Sequence, residues 1–175
     1  MVTIICDKLH GHVCSIWRQC AERAWAEKCD YFVLMGDDVV LHDPDWMRDI
    51  HHEFQRLTKS QHVPFGFGCV AFTDLSSPGM PTFPVVHRTH LDIFDGTVVP
   101  ETFVKQDGDH FLFQLYRRWD CSTMIPSLLR QGVVGGSRNT EQRIKDWTFE
   151  TLDKAVEKAT QGFRRTSRPL GRWLR

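Results

Sequence analysis

The stretch Tyr31–Trp46 reads YFVLMGDDVVLHDPDW and places two adjacent aspartates one glycine after five apolar residues. The apolar run predicts a buried strand that ends at Gly36. A carboxylate beside such a strand is costly unless it is protonated, paired, bound to a cation or turned out to solvent. Asp37 and Asp38 therefore predict either a divalent-metal site or a solvated turn that Gly36 opens.

The segments before this stretch predict an alternating α/β order. Val2–Cys6 is a β-branched run typical of a buried strand. Apolar residues then recur at helical spacing from Val13 to Trp25, and Tyr31–Met35 is the next strand. Because strand, helix and strand in this order are typical of a βαβ unit, we expect a parallel sheet with the acidic pair at its carboxyl edge.

The segments after this stretch predict further helices and strands. Asp43 as N-cap and Pro44 at the first helical position predict a helix that follows the acidic pair. Residues 61–100 have strand and loop character. Asp109 is a candidate cap for the next helix, and a last helix is expected over about 140–160.

Length and charge indicate one globular domain. The chain has 175 residues and a net charge of zero, which gives no overall attraction to nucleic acid or membrane. The charge is uneven, because residues 162–175 carry five arginines and no acid. We expect a folded domain over 1–161 and a basic, flexible tail over 162–175.

The sequence also predicts a cytoplasmic protein. No apolar run approaches the roughly 18 residues of a membrane span, and no signal-peptide pattern opens the chain. The six cysteines lack a CxxC pair and are expected to be small buried side chains. One alternative is a zinc site, although its spacing matches no common zinc finger; its ligands would be Cys6, His10, His12 and Cys14.

Carboxylates at the carboxyl edge of an α/β sheet favour a hard cation. Ligands bind at that edge in open α/β sheets. Proteins commonly hold Mg²⁺ or Mn²⁺ with one or two carboxylates together with substrate phosphates and water. Asp37 and Asp38 therefore predict a site for Mn²⁺ or Mg²⁺ and a diphosphate.

The acidic pair and its surroundings resemble the DXD region of GT-A glycosyltransferases. That region is an apolar strand ending in acids, followed by a short apolar arm and by P-D-hydrophobic, which here is PDW at Pro44–Trp46. A second stretch, QDGDHFLFQLYRRW at 106–119, resembles the family's later motif, in which an acidic triplet opens a helix. The motifs occur in the family's order about 70 residues apart, and the likeness covers roughly residues 2–120.

This resemblance implies a GT-A-like α/β fold, with a mainly parallel sheet flanked by helices, and sugar transfer from a nucleotide-sugar donor to a hydroxyl acceptor. Asp38 matches the acid that holds the metal on the donor diphosphate, and Asp37 the position near the ribose and the metal's waters. Asp109 matches the general base of inverting members, with Asp107 as the alternative base. Asp7 is the candidate nucleotide-side acid.

Three departures from the family pattern bear on activity. Gly36 replaces the first acid of the motif, and the first nucleotide-binding βα unit is not recognisable, so truncation at the amino end is expected. No histidine follows His110 to act as a late metal ligand, which leaves His87 and His90 as candidates. The alternative function is therefore a non-catalytic GT-A-like remnant that acts as an interaction protein.

A polymerase is a further alternative for the acidic pair. MGDDVV also resembles the G-D-D hairpin of RNA-dependent RNA polymerases, which holds two magnesium ions. That family needs an upstream aspartate strand and a serine–glycine loop, and only 35 residues precede Gly36. No nucleic-acid partner is therefore expected.

Two features outside the acidic motifs keep alternatives open. The basic tail is either a solvated terminus or a contact for phosphates, acidic proteins or anionic lipid, and its Ser167 is a candidate phosphorylation site. Trp119 is either a core residue, like other tryptophans on apolar helical faces, or a platform for a sugar ring.

Overall fold

The computed structural model describes residues 11–105, 107–131 and 149–166. These ranges form one five-stranded sheet with helices on both sides. The helices are α1 Val13–Ala26, α2 Trp46–Gln61, α3 Arg88–Ile93, α4 Gly108–Arg117 and α5 Phe149–Thr166. The strands are β1 Tyr31–Val33, β2 Val39–Leu41, β3 Cys69–Asp74, β4 Pro81–His87 and β5 Ser122–Gln131.

The sheet is mixed, with the strand order β1-β4-β3-β5-β2. Strand β4 pairs antiparallel with β1 and β3, and β2 pairs antiparallel with β5. Strands β3 and β5 form the one parallel pair in the described ranges. The α/β class is therefore confirmed but the mainly parallel sheet is wrong, because β4 follows β3 through the short loop 75–80 and not through a helix.

Three strands nevertheless point the same way. Strand β4 is antiparallel to both β1 and β3, and β5 is parallel to β3, so β1, β3 and β5 share one direction. Their carboxyl ends lie at one edge of the sheet, and the acidic turn follows β1 at that edge. The first strand of the predicted βαβ unit, Val2–Cys6, lies outside the described residues.

Two apolar clusters hold the helices against opposite faces of the sheet. Neighbouring residues of β3, Cys69 and Val70, belong to different clusters, as side chains that alternate across a strand must. The first cluster joins the sheet to α1, α3, α4 and α5, and its largest buried side chains include Phe67, Phe103, Phe111 and Tyr116. The second lies under α2 and includes Ile50, Phe54, Leu57 and Phe72.

Helix α2 begins two residues later than the sequence predicts. Asp45 occupies the N-cap position, and α2 starts at Trp46. The Asp43 carboxylate instead accepts a 2.6 Å hydrogen bond from the backbone N–H of Leu128. Leu128 lies where the pairing of β5 with β3 shifts register. The side chain thus satisfies a backbone donor at an irregular point of the sheet.

Helix α5 continues past the predicted domain boundary at 161 and ends at Thr166. A Cβ on Gly162 would lie 2.8 Å from Cγ2 of Ile93, so α5 packs closely on α3 where the tail was expected to begin. Residues 132–148 and 167–175 lie outside the described ranges, and the basic tail with Ser167 stays a prediction. No helix in the described ranges has both the length and the apolar character needed to cross a membrane.

Candidate functional site

The acidic pair lies in the turn between β1 and β2, which sit at opposite ends of the strand order. Asp37 is exposed and Asp38 is half-buried. A Cβ on Gly36 would lie 2.8 Å from Oδ1 of Asp38, so this carboxylate folds back over the Gly36 backbone. The glycine that replaces the first acid of the motif thus leaves room for the Asp38 carboxylate.

The carboxylates of Asp37 and Asp38 accept no hydrogen bond and form no ion pair within the described ranges. Their contact with solvent offsets the lack of a protein partner. Two such carboxylates fit Mn²⁺ or Mg²⁺, which take most of their remaining ligands from phosphate and water. The described residues contain no group of three or more His, Cys, Asp or Glu side chains placed to hold a metal. A cation at Asp38 would therefore need oxygen atoms from a bound ligand.

The second acidic motif forms the start of α4. Asp107 is the N-cap residue and has a left-handed backbone with φ of 70°, a conformation that aspartate tolerates better than most residues. Gly108 begins the helix and is buried. A Cβ on Gly108 would lie 3.0 Å from Sγ of Cys14 and 3.2 Å from Cγ1 of Val99. Asp109 therefore lies in the first turn and not at the cap.

The Asp109 carboxylate is held by the residue that follows it. Its Oδ1 accepts a 2.8 Å hydrogen bond from the backbone N–H of His110 and lies 3.0 Å from Nδ1 of the same residue's ring. The Asp109 side chain is 22% exposed. Cys69 is the first residue of β3, and burial raises the pKa of its thiol. The negative charge of Asp109 raises this pKa further, which indicates that the carboxylate lies near the start of β3.

Trp17 of α1 lies beside both acidic motifs. Its Nε1–H donates a 3.1 Å hydrogen bond to the carbonyl of Met35, the residue before Gly36. Its Cζ3 lies 3.6 Å from where a Cβ on Gly108 would be, and Gly108 is the residue between Asp107 and Asp109 in the sequence. One indole ring therefore spans the space between the acidic turn and the start of α4.

The loop that leads to α4 is also fastened to α1. Arg18 donates hydrogen bonds to the carbonyls of Pro100, at 3.0 Å, and of Phe103. Phe103 packs against Phe111 of α4, with ring centroids 4.8 Å apart. These contacts fix the start of α4 relative to α1 and hence relative to Trp17.

The two histidines considered as late metal ligands lie away from Asp38. His90 is buried, with Nε2 2.9 Å from the Val98 carbonyl oxygen and Nδ1 2.7 Å from the Tyr116 hydroxyl, so both ring nitrogens are used in the core. His87 pairs with Tyr31 at the amino end of β1, whereas the acidic turn follows its carboxyl end. Neither histidine is placed to ligate a metal at Asp38.

Trp119, the tryptophan that the sequence suggests as a sugar platform, does not lie beside the acidic motifs. Trp119 lies beyond the carboxyl end of α4, and its ring packs edge-on against Phe67 with centroids 5.3 Å apart. It belongs to the core and not to the surroundings of Asp109. Trp17, which its helical spacing assigns to the core, is the one at the site. His110 was also missed, although it directly follows the predicted base in the QDGDH string.

Some predicted ligands cannot be placed. Asp7 lies outside the described residues, so its role on the nucleotide side stays a prediction. Cys6 and His10 of the alternative zinc site lie outside them too. Cys14 is fully buried, with Sγ beside Gly108 at the start of α4.

A cavity of about 390 Å³ lies between α3, α4 and α5. Its lining is mainly apolar, and its two lysines are paired, Lys154 with Glu150 and Lys158 with Asp95. His90, one of the two candidate late metal ligands, lines it, whereas Asp37, Asp38, Asp107 and Asp109 do not. The aspartates that the sequence predicts for metal binding and proton transfer, where the structure describes them, lie instead at the acidic turn and at the start of α4.

Comparison of the chain with protein-family models, with curated proteins and with solved structures finds no match. The likeness to GT-A enzymes therefore rests on the two motifs. A fold alone does not imply an activity, so any function depends on the side chains of the site.

Proposed function

We propose that this protein transfers a sugar from a nucleotide-diphosphate sugar to a hydroxyl acceptor, on a GT-A-like fold. The observation that carries the proposal is the position of Trp17, which donates a hydrogen bond to the Met35 carbonyl and has its ring edge beside Gly108. The motifs are about 70 residues apart in the sequence. Their meeting at one side chain supports a single site with a metal-binding side and a proton-accepting side.

The acidic turn would form the donor side of this site. Asp38, with Asp37 beside it, would hold Mn²⁺ or Mg²⁺ together with the diphosphate of the donor. When bound, such a cation offsets the negative charge that grows on the departing nucleoside diphosphate. The direction shared by β1, β3 and β5 supports this placement, because it puts the turn at the edge where α/β sheets bind ligands.

The start of α4 would form the acceptor side. The acceptor oxygen bonds to the anomeric carbon of the sugar, while the bond from that carbon to the diphosphate oxygen breaks and its electron pair leaves with the diphosphate. Asp109 takes the proton of the acceptor hydroxyl as general base. Asp107, the N-cap residue of the same helix, is the alternative base.

Release of nucleoside diphosphate from a panel of UDP- and GDP-sugars, with and without Mn²⁺ and simple sugar acceptors, tests this function. We expect metal-dependent release by the wild type and its loss in both Asp38→Ala and Asp109→Asn. Asp45→Ala is the matched control, because Asp45 is exposed in the same stretch and its ion pair with Arg48 lies at the surface. A folded wild type that releases no nucleotide from any donor would instead favour the non-catalytic interaction protein.

A further inference from the structure

One oxygen of Asp109 receives two contacts from a single neighbour. Oδ1 accepts from the His110 backbone N–H at 2.8 Å, and Nδ1 of the His110 ring lies 3.0 Å away. An ionised carboxylate can only accept hydrogen bonds, so this contact requires a proton on Nδ1. The contact therefore selects the Nδ1–H form of the neutral imidazole, or the imidazolium.

The other oxygen of Asp109, Oδ2, has no hydrogen-bond donor among the described residues. Asp109 lies in the first turn of α4, where backbone N–H groups lack helical partners and the helix dipole favours a negative charge. Its side chain remains 22% exposed to solvent. The Asp109 carboxylate thus has one oxygen engaged by His110 and the other without a protein donor in the described ranges.

We infer that His110 is a positioning residue for the proposed base, and that it holds Oδ1 of Asp109 so that Oδ2 receives the proton of the acceptor hydroxyl. This inference rests on the proposed function. The backbone N–H of residue 110 is present whatever side chain stands there, so the imidazole supplies the second restraint. Without that restraint the carboxylate rotates more freely, and fewer of its orientations suit proton transfer.

Two variants of His110 separate the ring donor from simple packing. Asn has a side-chain N–H close to the position of Nδ1, whereas Leu fills similar space without a donor. We expect kcat to fall by about tenfold to a hundredfold in His110→Leu, with an unchanged KM for the donor sugar, and by only a few-fold in His110→Asn. His52→Leu and His52→Asn are matched controls, because His52 is exposed on α2; both should leave kcat unchanged.

A second measurement needs no activity. In ¹⁵N NMR spectra of the imidazole rings, Nδ1 of His110 should carry a proton in the wild type. In Asp109→Ala the neutral ring should change to the commoner Nε2–H tautomer. A wild-type ring whose Nδ1 is unprotonated would overturn the inference.

The outcomes distinguish this inference from the function on which it rests. If the wild type transfers no sugar, the proposed function fails and the role of His110 fails with it, whatever the NMR spectra show. If the wild type is active but His110→Leu matches it, or His110→Asn is as slow as His110→Leu, only the role of His110 is overturned.

Discussion

The acidic turn and the start of α4 each present two aspartates but hold them differently. In the turn, the carboxylates of Asp37 and Asp38 meet no donor within the described ranges. At the start of α4, His110 engages one oxygen of Asp109 from both its backbone and its ring. The difference matches the two roles proposed. A cation organises its own ligands when it binds, whereas a base must already be oriented when the acceptor arrives.

The largest effect expected from this comparison concerns the base. Asp109→Asn should lower the rate of transfer by about a hundredfold to ten-thousandfold, because it removes the proton acceptor and keeps the shape of the side chain. Asp107→Asn should have a much smaller effect. Single-turnover kinetics of both variants with one donor sugar would measure this. A larger loss of rate in Asp107→Asn than in Asp109→Asn would assign the role of general base to Asp107.

Near its carboxyl end, α4 forms a buried polar contact that contributes to stability and not to the proposed site. Tyr116 and His90 form this contact in the core, 2.7 Å apart, and burial lowers the pKa of His90 from 6.5 to about 4. The unfolded chain therefore binds a proton between these values that the folded protein does not, so stability present above pH 6.5 is lost as the pH falls toward 4. The loss should be about 3 kcal/mol.

Urea unfolding of the wild type and of His90→Gln over this pH range measures that loss. The free energy of unfolding should fall with acidification in the wild type and should depend less on pH in the variant. Equal pH dependence in both proteins would contradict the structural role of His90.

A smaller effect is expected at Trp17, the residue that links the two motifs. Trp17→Phe removes the hydrogen bond to Met35 and should cost about 1 kcal/mol of stability. Trp25→Phe is a matched control on the same helix, because the Trp25 Nε1–H donates to Asp92 at 2.8 Å, away from both acidic motifs. Chemical denaturation should show similar losses in both variants, but only Trp17→Phe should slow transfer. Equal slowing in both would remove Trp17 from the site.

Local patterns predicted the elements near the site. The apolar run before Gly36, the strand and loop character of residues 61–100 and the helix expected at Asp109 correspond to β1, to β3 and β4 with their connection, and to α4. These features depend on neighbouring residues, so a sequence pattern can reveal them. The predicted start of α2 was two residues early, because the Asp43 carboxylate binds the distant Leu128 N–H instead of capping the helix.

The sequence did not reveal the features that depend on contacts between distant segments of the chain. The direction of β4 and the pairing of β2 with β5 depend on partners far along the chain, so the alternation of strand and helix predicted too many parallel strands. Trp17 packs against the core as its helical spacing predicts, but the sequence did not show that its ring also lies beside Met35 and Gly108, which belong to two other segments of the chain. His110 follows Asp109 directly, but only the rotamers of both side chains reveal that its ring meets the carboxylate.

The most direct test of the central claim is calorimetric titration of UDP and GDP into the protein, with and without Mn²⁺, beside the Asp38→Ala and Asp45→Ala variants. The account predicts nucleotide binding that requires the metal, disappears in Asp38→Ala and persists in Asp45→Ala. Metal-independent binding, or equal binding by wild type and Asp38→Ala, would contradict the donor site at the acidic turn. A folded wild type that binds neither nucleotide would contradict the glycosyltransferase proposal as a whole.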